Sequence, residues 1–400
     1  MRQPAHGGNL AWAAALAGCP PDAILDFSAS ISPLGPPNSA IAAIQSQIGN
    51  LKHYPDPNYS ELRLALSHFH QLPSEWILPG NGSAELLTLV GRELAQLAAT
   101  TLITPAFGDY YRTLAAYNAK VLECPLSLVI GDWSLVIDKG QRTKDKGLLL
   151  NNPHNPTGKL FSRDSILPYL EQFALVVVDE AFMDFVPPNE EQSLIPVVQE
   201  YANLVILRSL TKFYSLPGLR LGYAIAHPDC LAKWQLWRDP WPVNTLAAAA
   251  AIAALQDTEF QQQTWAWLPP ARNQLFQGLA KIPGLQPQAS AANFLLVESQ
   301  ESTSQLQQQL LKHHQILIRD CLSFKELGDR FFRVAVRSHS DNQRLLTALS
   351  GEWGVGSRGN GEGNEGAEGE RGNFHSSPCP MPNAPCPLAL SEVEGMPHDK

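Results

Sequence analysis

Lys212 stands in the stretch Ser209-Leu-Thr-Lys-Phe-Tyr-Ser-Leu-Pro-Gly-Leu-Arg220, directly after the apolar run 204–207 and eight residues before Arg220. A lysine amine is a nucleophile that can form a Schiff base with an aldehyde. The hydroxyls of Ser209 and Thr211 and the guanidinium of Arg220 can hold a phosphate through charge-assisted hydrogen bonds. One short loop therefore carries an aldehyde anchor and part of a phosphate cup. A lone loop lysine is ordinarily solvated surface charge, so the reading rests on what accompanies it.

Four further segments accompany it. The apolar run 174–178 reads as a fully buried strand, and Asp179 follows it in Val176-Val-Val-Asp179-Glu-Ala-Phe182,. Open α/β sheets bind ligands at that carboxyl end, where a carboxylate can pair with a pyridine nitrogen and keep it protonated. Residues 148–151 run into Asn151-Asn-Pro-His-Asn155-Pro-Thr-Gly158, whose turn formers fix the backbone,. Asn155 can there hydrogen-bond a ring oxygen. Leu78-Pro-Gly80-Asn-Gly82-Ser83-Ala84-Glu85 turns into the apolar helical stretch 86–97. Helix N-termini bind anions, so the N–H groups of Ser83 and Ala84 suit a phosphate. Phe107, in Thr104-Pro-Ala-Phe107-Gly-Asp-Tyr110 after the strand-like run 100–103, can stack on an aromatic ring. Aldehyde, phosphate, ring nitrogen and ring oxygen are together the handles of pyridoxal 5'-phosphate (PLP). Each motif alone reads as a turn, a strand cap or a packed aromatic.

Together and in this order the five segments resemble the fold-type I PLP enzymes of aminotransferase class I/II, over about residues 6–350. The resemblance implies that Lys212 is the Schiff-base lysine, Asp179 the ring-nitrogen partner and Asn155 the ring-oxygen ligand. Ser83, Ala84, Ser209, Thr211 and Arg220 would hold the phosphate, with Phe107 against the ring. The segments His6-Gly7-Gly8-Asn9, Leu25-Asp-Phe-Ser28-Ala-Ser30, Ile316-Leu-Ile-Arg319 and Phe332-Arg333-Val-Ala-Val-Arg337 further resemble the threonine-phosphate decarboxylases of cobalamin biosynthesis. That branch is close to the histidinol-phosphate aminotransferases.

This finer resemblance implies a PLP-dependent lyase acting on a small phosphorylated amino acid, L-threonine O-3-phosphate. Arg333 would grip the carboxylate, and His6, Gly7, Ser30, Asn155 and Arg319 would complete the substrate site. Arg337 is expected to be structural or near the site rather than a direct ligand. Tyr54 would reach the neighbouring subunit's cofactor phosphate, which implies a homodimer with shared sites. Ser30 stands where the family usually has Asn, and Phe182 where aminotransferases usually have Tyr. The decarboxylase branch tolerates Phe there. Histidinol-phosphate or aromatic amino acid transamination, and a non-catalytic PLP-fold binding protein, are the alternatives.

The elements that must position these residues follow from hydrophobic patterning. Runs at 100–104, 148–151, 175–178, 204–207 and 221–226 are expected strands of a mostly parallel sheet. An alanine-rich helix is expected at 246–255. The expected α/β organisation is an N-terminal arm (1–32) joining the small domain, a large PLP-binding domain (33–250), a small C-terminal domain (251–353) and a disordered tail (354–400). Residues 354–372 hold eight glycines, and 354–400 carry seven acidic and three basic side chains. Such a stretch buries too little apolar surface to offset its ordering entropy. The 400 residues suffice for two cores,. A net charge of −9 gives no footprint for nucleic acid. No apolar run is long enough to span a bilayer. The six cysteines show no C-x-x-C metal or redox spacing,. With no export signal, a cytoplasmic protein with free thiols and no metal is expected.

Overall fold

The structure, a computed structural model, describes residues 7–129, 132–134 and 144–356. Seven strands form the larger sheet: β1 (Ile77–Asn81), β2 (Ala99–Thr104), β3 (Val121–Pro125), β4 (Lys146–Asn151), β5 (Leu175–Asp179), β6 (Leu204–Ser209) and β7 (Leu221–Ala226). Their spatial order is β1-β7-β6-β5-β4-β2-β3. All neighbours are parallel except β7, which runs antiparallel to both β6 and β1.

The central strands are apolar at every position because both faces are covered. Leu148, Leu150, Val176, Val178, Leu204 and Ile206 face one core. The alternating residues Leu149, Val177, Val205 and Leu207 face the other. Each such side chain contributes about 1.5–3 kcal/mol on full burial. The five expected strands form, extended by one or two residues at some ends. The sequence reading missed β1 and β3, the two edges. Pro79 and Gly80 made β1 look like a turn, but an edge strand tolerates proline. The helix expected at 86–97 instead spans Gly82–Leu94.

A four-stranded antiparallel sheet lies C-terminal: β8 (Leu285–Pro287), β9 (Phe294–Ser299), β10 (Arg319–Asp320) and β11 (Phe331–Ala335), in the order β8-β9-β11-β10. The N-terminal segment joins it. Leu25–Asp26 pairs in parallel with Ile316–Leu317, and Ala13 and Ala14 of helix Leu10–Ala17 pack with Leu311 and Leu317. The same segment touches the lysine loop, where Ser32 N donates to Lys212 O at 3.0 Å and Ser215 Oγ to Ser32 O at 2.6 Å.

Two expected boundaries fall inside helices. Residue 250 lies within Thr245–Gln256, and 353 lies within His339–Gly356. Turn-to-turn hydrogen bonding carries the helix past the first glycine of the tail, so 354–356 belong to it. The remainder of the expected tail lies outside the described residues. No described helix is long and apolar enough to cross a membrane.

Candidate active site

Three adjacent parallel strands end side by side, and the chemistry starts there. Asp179 closes β5 and lies in register with Asn151 at the end of β4. Its Oδ2 accepts from Tyr110 Oη at 2.8 Å and its Oδ1 from Ala181 N at 3.0 Å. Burial pushes its carboxyl above the usual range, opposed by nearby Lys212 and by these two donors. A buried carboxylate so placed is stabilised by a cationic partner.

Lys212 follows β6. Burial lowers the proton affinity of its amine. Asp179 opposes that effect, and Arg333 and Arg220 reinforce it. Its Nζ donates to Ser209 Oγ at 3.4 Å and sits 5.0 Å from the Phe182 ring centre. An amine held this way loses its proton readily, which a nucleophile requires.

The helix Gly82–Leu94 starts beside the lysine loop. Asn81 offers it no side-chain cap, so the first N–H groups stay available to a ligand. Gly82 has φ +71°, and a Cβ there would meet Arg220 Nη2 at 2.8 Å. A Cβ on Gly222 would stand 2.6 Å from Ser83 N. Both glycines thus let Arg220 and β7 close on the helix start. Ser209 Oγ and Thr211 Oγ1, 2.8 Å apart, face the same place. Phe107 precedes helix Gly108–Ala116, its ring edge-on to Tyr110 with centroids 5.7 Å apart.

The smaller sheet supplies the opposite wall. Arg333 on β11 lies directly across from Arg319 on β10. Arg333 Nη1 donates to Asn155 Oδ1 and Nη2 to Ser28 O at 3.2 Å, while its Nε has no partner among the described residues. Its guanidinium lies 4.8 Å from the Phe294 ring, which packs edge-on to Phe182 at 5.0 Å. Burial and Arg319 bring the Arg333 guanidinium down to about 10. Arg319 Nη2 donates to Ser323 Oγ at 2.6 Å. Among the described residues, Ser30 Oγ is buried without a hydrogen-bond partner.

These groups line one cavity of about 360 Å³. It collects Lys212, Asp179, Asn155, Phe107, Ser83 and Ala84, together with Ser209, Thr211, Arg220, Gly7, Ser30, Arg319 and Arg333. His6 lies outside the described residues. Tyr54 does not line the cavity. It is 79% exposed, stacked on Trp241 with centroids 4.5 Å apart. Arg337 pairs with Asp341 at 3.1 Å and donates to Asp26 O at 3.1 Å, a structural role.

Sequence reasoning gave no role to Tyr110, Ser323 or Phe324, which also line the cavity. Tyr110 was legible as the residue one helical turn after Phe107. Ser323 was legible only as one turn-length beyond Arg319. The donor set fits PLP: an amine, a buried carboxylate, a helix start with hydroxyls and an arginine, and an aromatic flank. The orphaned Ser30 Oγ and Arg333 Nε leave polar capacity for a second, anionic molecule.

The chain matches the family described as Aminotransferase class I and II over residues 22–349. A threonine-phosphate decarboxylase of Salmonella typhimurium is 40% identical over 356 residues, covering 86% of this chain and 95% of that protein. An adenosylcobalamin biosynthesis bifunctional protein of Leptospira interrogans is 30% identical over 88% of this chain, which spans 41% of that longer protein. Among solved structures, a histidinol-phosphate aminotransferase from Clostridium acetobutylicum superposes with TM-score 0.74 at 29% identity, covering 83% of this chain and all of that one.

Proposed function

Because this chain belongs to the aminotransferase class I and II family, we propose that it is a PLP-dependent enzyme that decarboxylates L-threonine O-3-phosphate to (R)-1-amino-2-propanol O-2-phosphate in cobalamin biosynthesis. The observation that carries the substrate is the cross-strand pair Arg319 and Arg333. Like charges directly opposite on a sheet repel. Both guanidinia line the cavity that holds Lys212, so a ligand with two anionic groups relieves that repulsion.

When bound, the cofactor supplies an electron sink through its protonated pyridine ring. The chain's residues do the rest. Lys212 would hold the cofactor through its aldehyde, and its amine is placed to move a proton at the substrate α-carbon. Asp179, braced by Tyr110, would hold the ring nitrogen and its proton. Ser83, Ala84, Ser209, Thr211 and Arg220 would hold the cofactor phosphate, with Phe107 at the ring. Arg333 presents a planar fork suited to a carboxylate, and Asn155 fixes that fork. Arg319, Ser30, Gly7 and His6 take the remaining substrate contacts. Which α-bond breaks depends on alignment to within an ångström.

The second reading, amino transfer from histidinol phosphate, is supported by the similarity to the Clostridium structure and shares every cofactor residue. Phe182 favours decarboxylation, because it lacks the hydroxyl that aminotransferases usually place there. A non-catalytic binding role is disfavoured by Lys212 in its buried setting. We further propose a homodimer in which exposed Tyr54 reaches the neighbouring subunit's cofactor phosphate. A cytoplasmic setting fits the thiols of Cys19, Cys230 and Cys321, which form no disulfide among the described residues.

The test supplies phosphothreonine with no keto acid and measures CO2 and aminopropanol phosphate. Their release supports decarboxylation. No CO2, together with amino transfer from histidinol phosphate to 2-oxoglutarate, establishes the aminotransferase instead.

A further inference from the structure

Ser323 carries no role in any of the chemistry above, yet it stands at the point where the cavity meets Arg319. Its Oγ accepts from Arg319 Nη2 at 2.6 Å, and both residues line the cavity. Among the described residues Ser323 Oγ donates to no acceptor. A hydroxyl that accepts from a guanidinium keeps its own hydrogen to give away. Guanidinium and hydroxyl therefore present donors side by side, the arrangement that suits the oxygens of one phosphate monoester.

The backbone around Ser323 is fixed on both sides. Cys321 N donates to Phe331 O at 3.1 Å, Phe324 N to Cys321 O at 2.9 Å, and Leu327 N to Phe324 O at 3.0 Å. Phe324 and Leu327 are buried with Cys321 and Leu296. Beyond Ser323, Lys325 Nζ reaches Glu123 at 3.3 Å and lies 5.0 Å from the Tyr111 ring centre. Tyr111 follows Tyr110, so this contact ties the segment to the wall that braces Asp179. A hydroxyl on so constrained a turn does not move to find its partner, and prepaid order of this kind favours binding.

We propose that Ser323 is a specificity-determining residue, which orients Arg319 and donates with it to the second anionic group of the substrate. This rests on the proposed decarboxylation of a phosphorylated amino acid. It adds that discrimination between phosphothreonine and free threonine resides in the Arg319–Ser323 pair, while Arg333 serves the carboxylate common to both.

The experiment compares the holoenzyme with its Ser323→Ala and Ser323→Thr variants. It measures KM and kcat for phosphothreonine and for free threonine, and the inhibition constant of inorganic phosphate. Loss of one charge-assisted donor and of Arg319's support is expected to raise KM for phosphothreonine about tenfold, the equivalent of 1.4 kcal/mol. kcat changes much less, and the gap between the two substrates narrows by about the same factor. The phosphate inhibition constant rises in parallel, and Ser323→Thr, which keeps the hydroxyl, restores all three quantities. An unchanged KM and phosphate inhibition constant in Ser323→Ala, or equal losses on both substrates, overturns the assignment. Absence of CO2 from phosphothreonine in the parent enzyme overturns the decarboxylase reading instead. Phosphate inhibition then still reads the Arg319–Ser323 pair on its own.

Discussion

The guanidinium of Arg333 donates through Nη1 to Asn155 Oδ1, joining residues 178 positions apart in the chain. Asn155 sits on the turn after β4 of the larger sheet, and Arg333 on β11 of the smaller one. This bond links the two walls of the cavity and holds the Arg333 guanidinium, a planar fork, in the space that Lys212 also lines. Removing Arg333 removes both the fork and the link.

Arg333→Ala is accordingly expected to lower kcat/KM for phosphothreonine and for free threonine alike. Truncating one partner of a buried charged pair typically costs about 2–5 kcal/mol. Arg319→Ala should instead damage phosphothreonine preferentially. Steady-state kinetics on both substrates separate the two arginines. Equal damage by both variants on both substrates would contradict the division of roles.

Lys212→Ala should abolish covalent retention of PLP and nearly all turnover. Borohydride reduction of the parent followed by peptide mapping should place the label in the peptide containing Lys212. A label on another lysine would refute the anchor. Retention of PLP by the variant, through the phosphate contacts alone, is expected to persist at reduced affinity on dialysis.

Tyr110→Phe removes a 2.8 Å donor to Asp179. That donor favours the charged carboxylate, and burial already raises its pKa. Losing it raises the pKa further, so the acid limb of the kcat profile should move to higher pH. Asp179→Asn should depress kcat at every pH while PLP stays bound. An acid limb in Tyr110→Phe that superposes on the parent's would show that the hydroxyl does not tune the carboxylate.

His154 lies fully buried in the turn that carries Asn155, its Nδ1 2.8 Å from Thr157 Oγ1. Burial lowers its pKa from 6.5 to about 3. The unfolded chain therefore binds a proton that the folded one refuses between those values. The His154 contribution is constant above pH 6.5 and is lost as pH falls below it, by about 2 kcal/mol at pH 5. Urea unfolding at pH 7 and pH 5 should show a smaller loss in His154→Gln than in the parent. Identical losses would place His154 outside the acid response.

The cofactor end of the site was legible because its residues follow apolar runs. A continuous run such as 174–178 means a strand buried on both faces, and the polar residue after it falls at the carboxyl edge. Asp179, Lys212 and Asn155 could each be placed by that rule, Ser83 by the glycine turn into the apolar stretch 86–97, and their family resemblance named the ligand. The edge strands β1 and β3 were not legible. One carries a proline and a glycine, and the other is half-buried, so neither shows a clean apolar period.

By itself the sequence determined which strand ends carry an amine, a carboxylate and a phosphate cup, since those follow from local pattern. It did not determine that Arg319 and Arg333 lie opposite each other, that Tyr110 braces Asp179, or that Ser323 meets Arg319. Those depend on strand register and on one sheet packing against another. Tertiary structure decided them because only it brings side chains distant in the chain within hydrogen-bond reach.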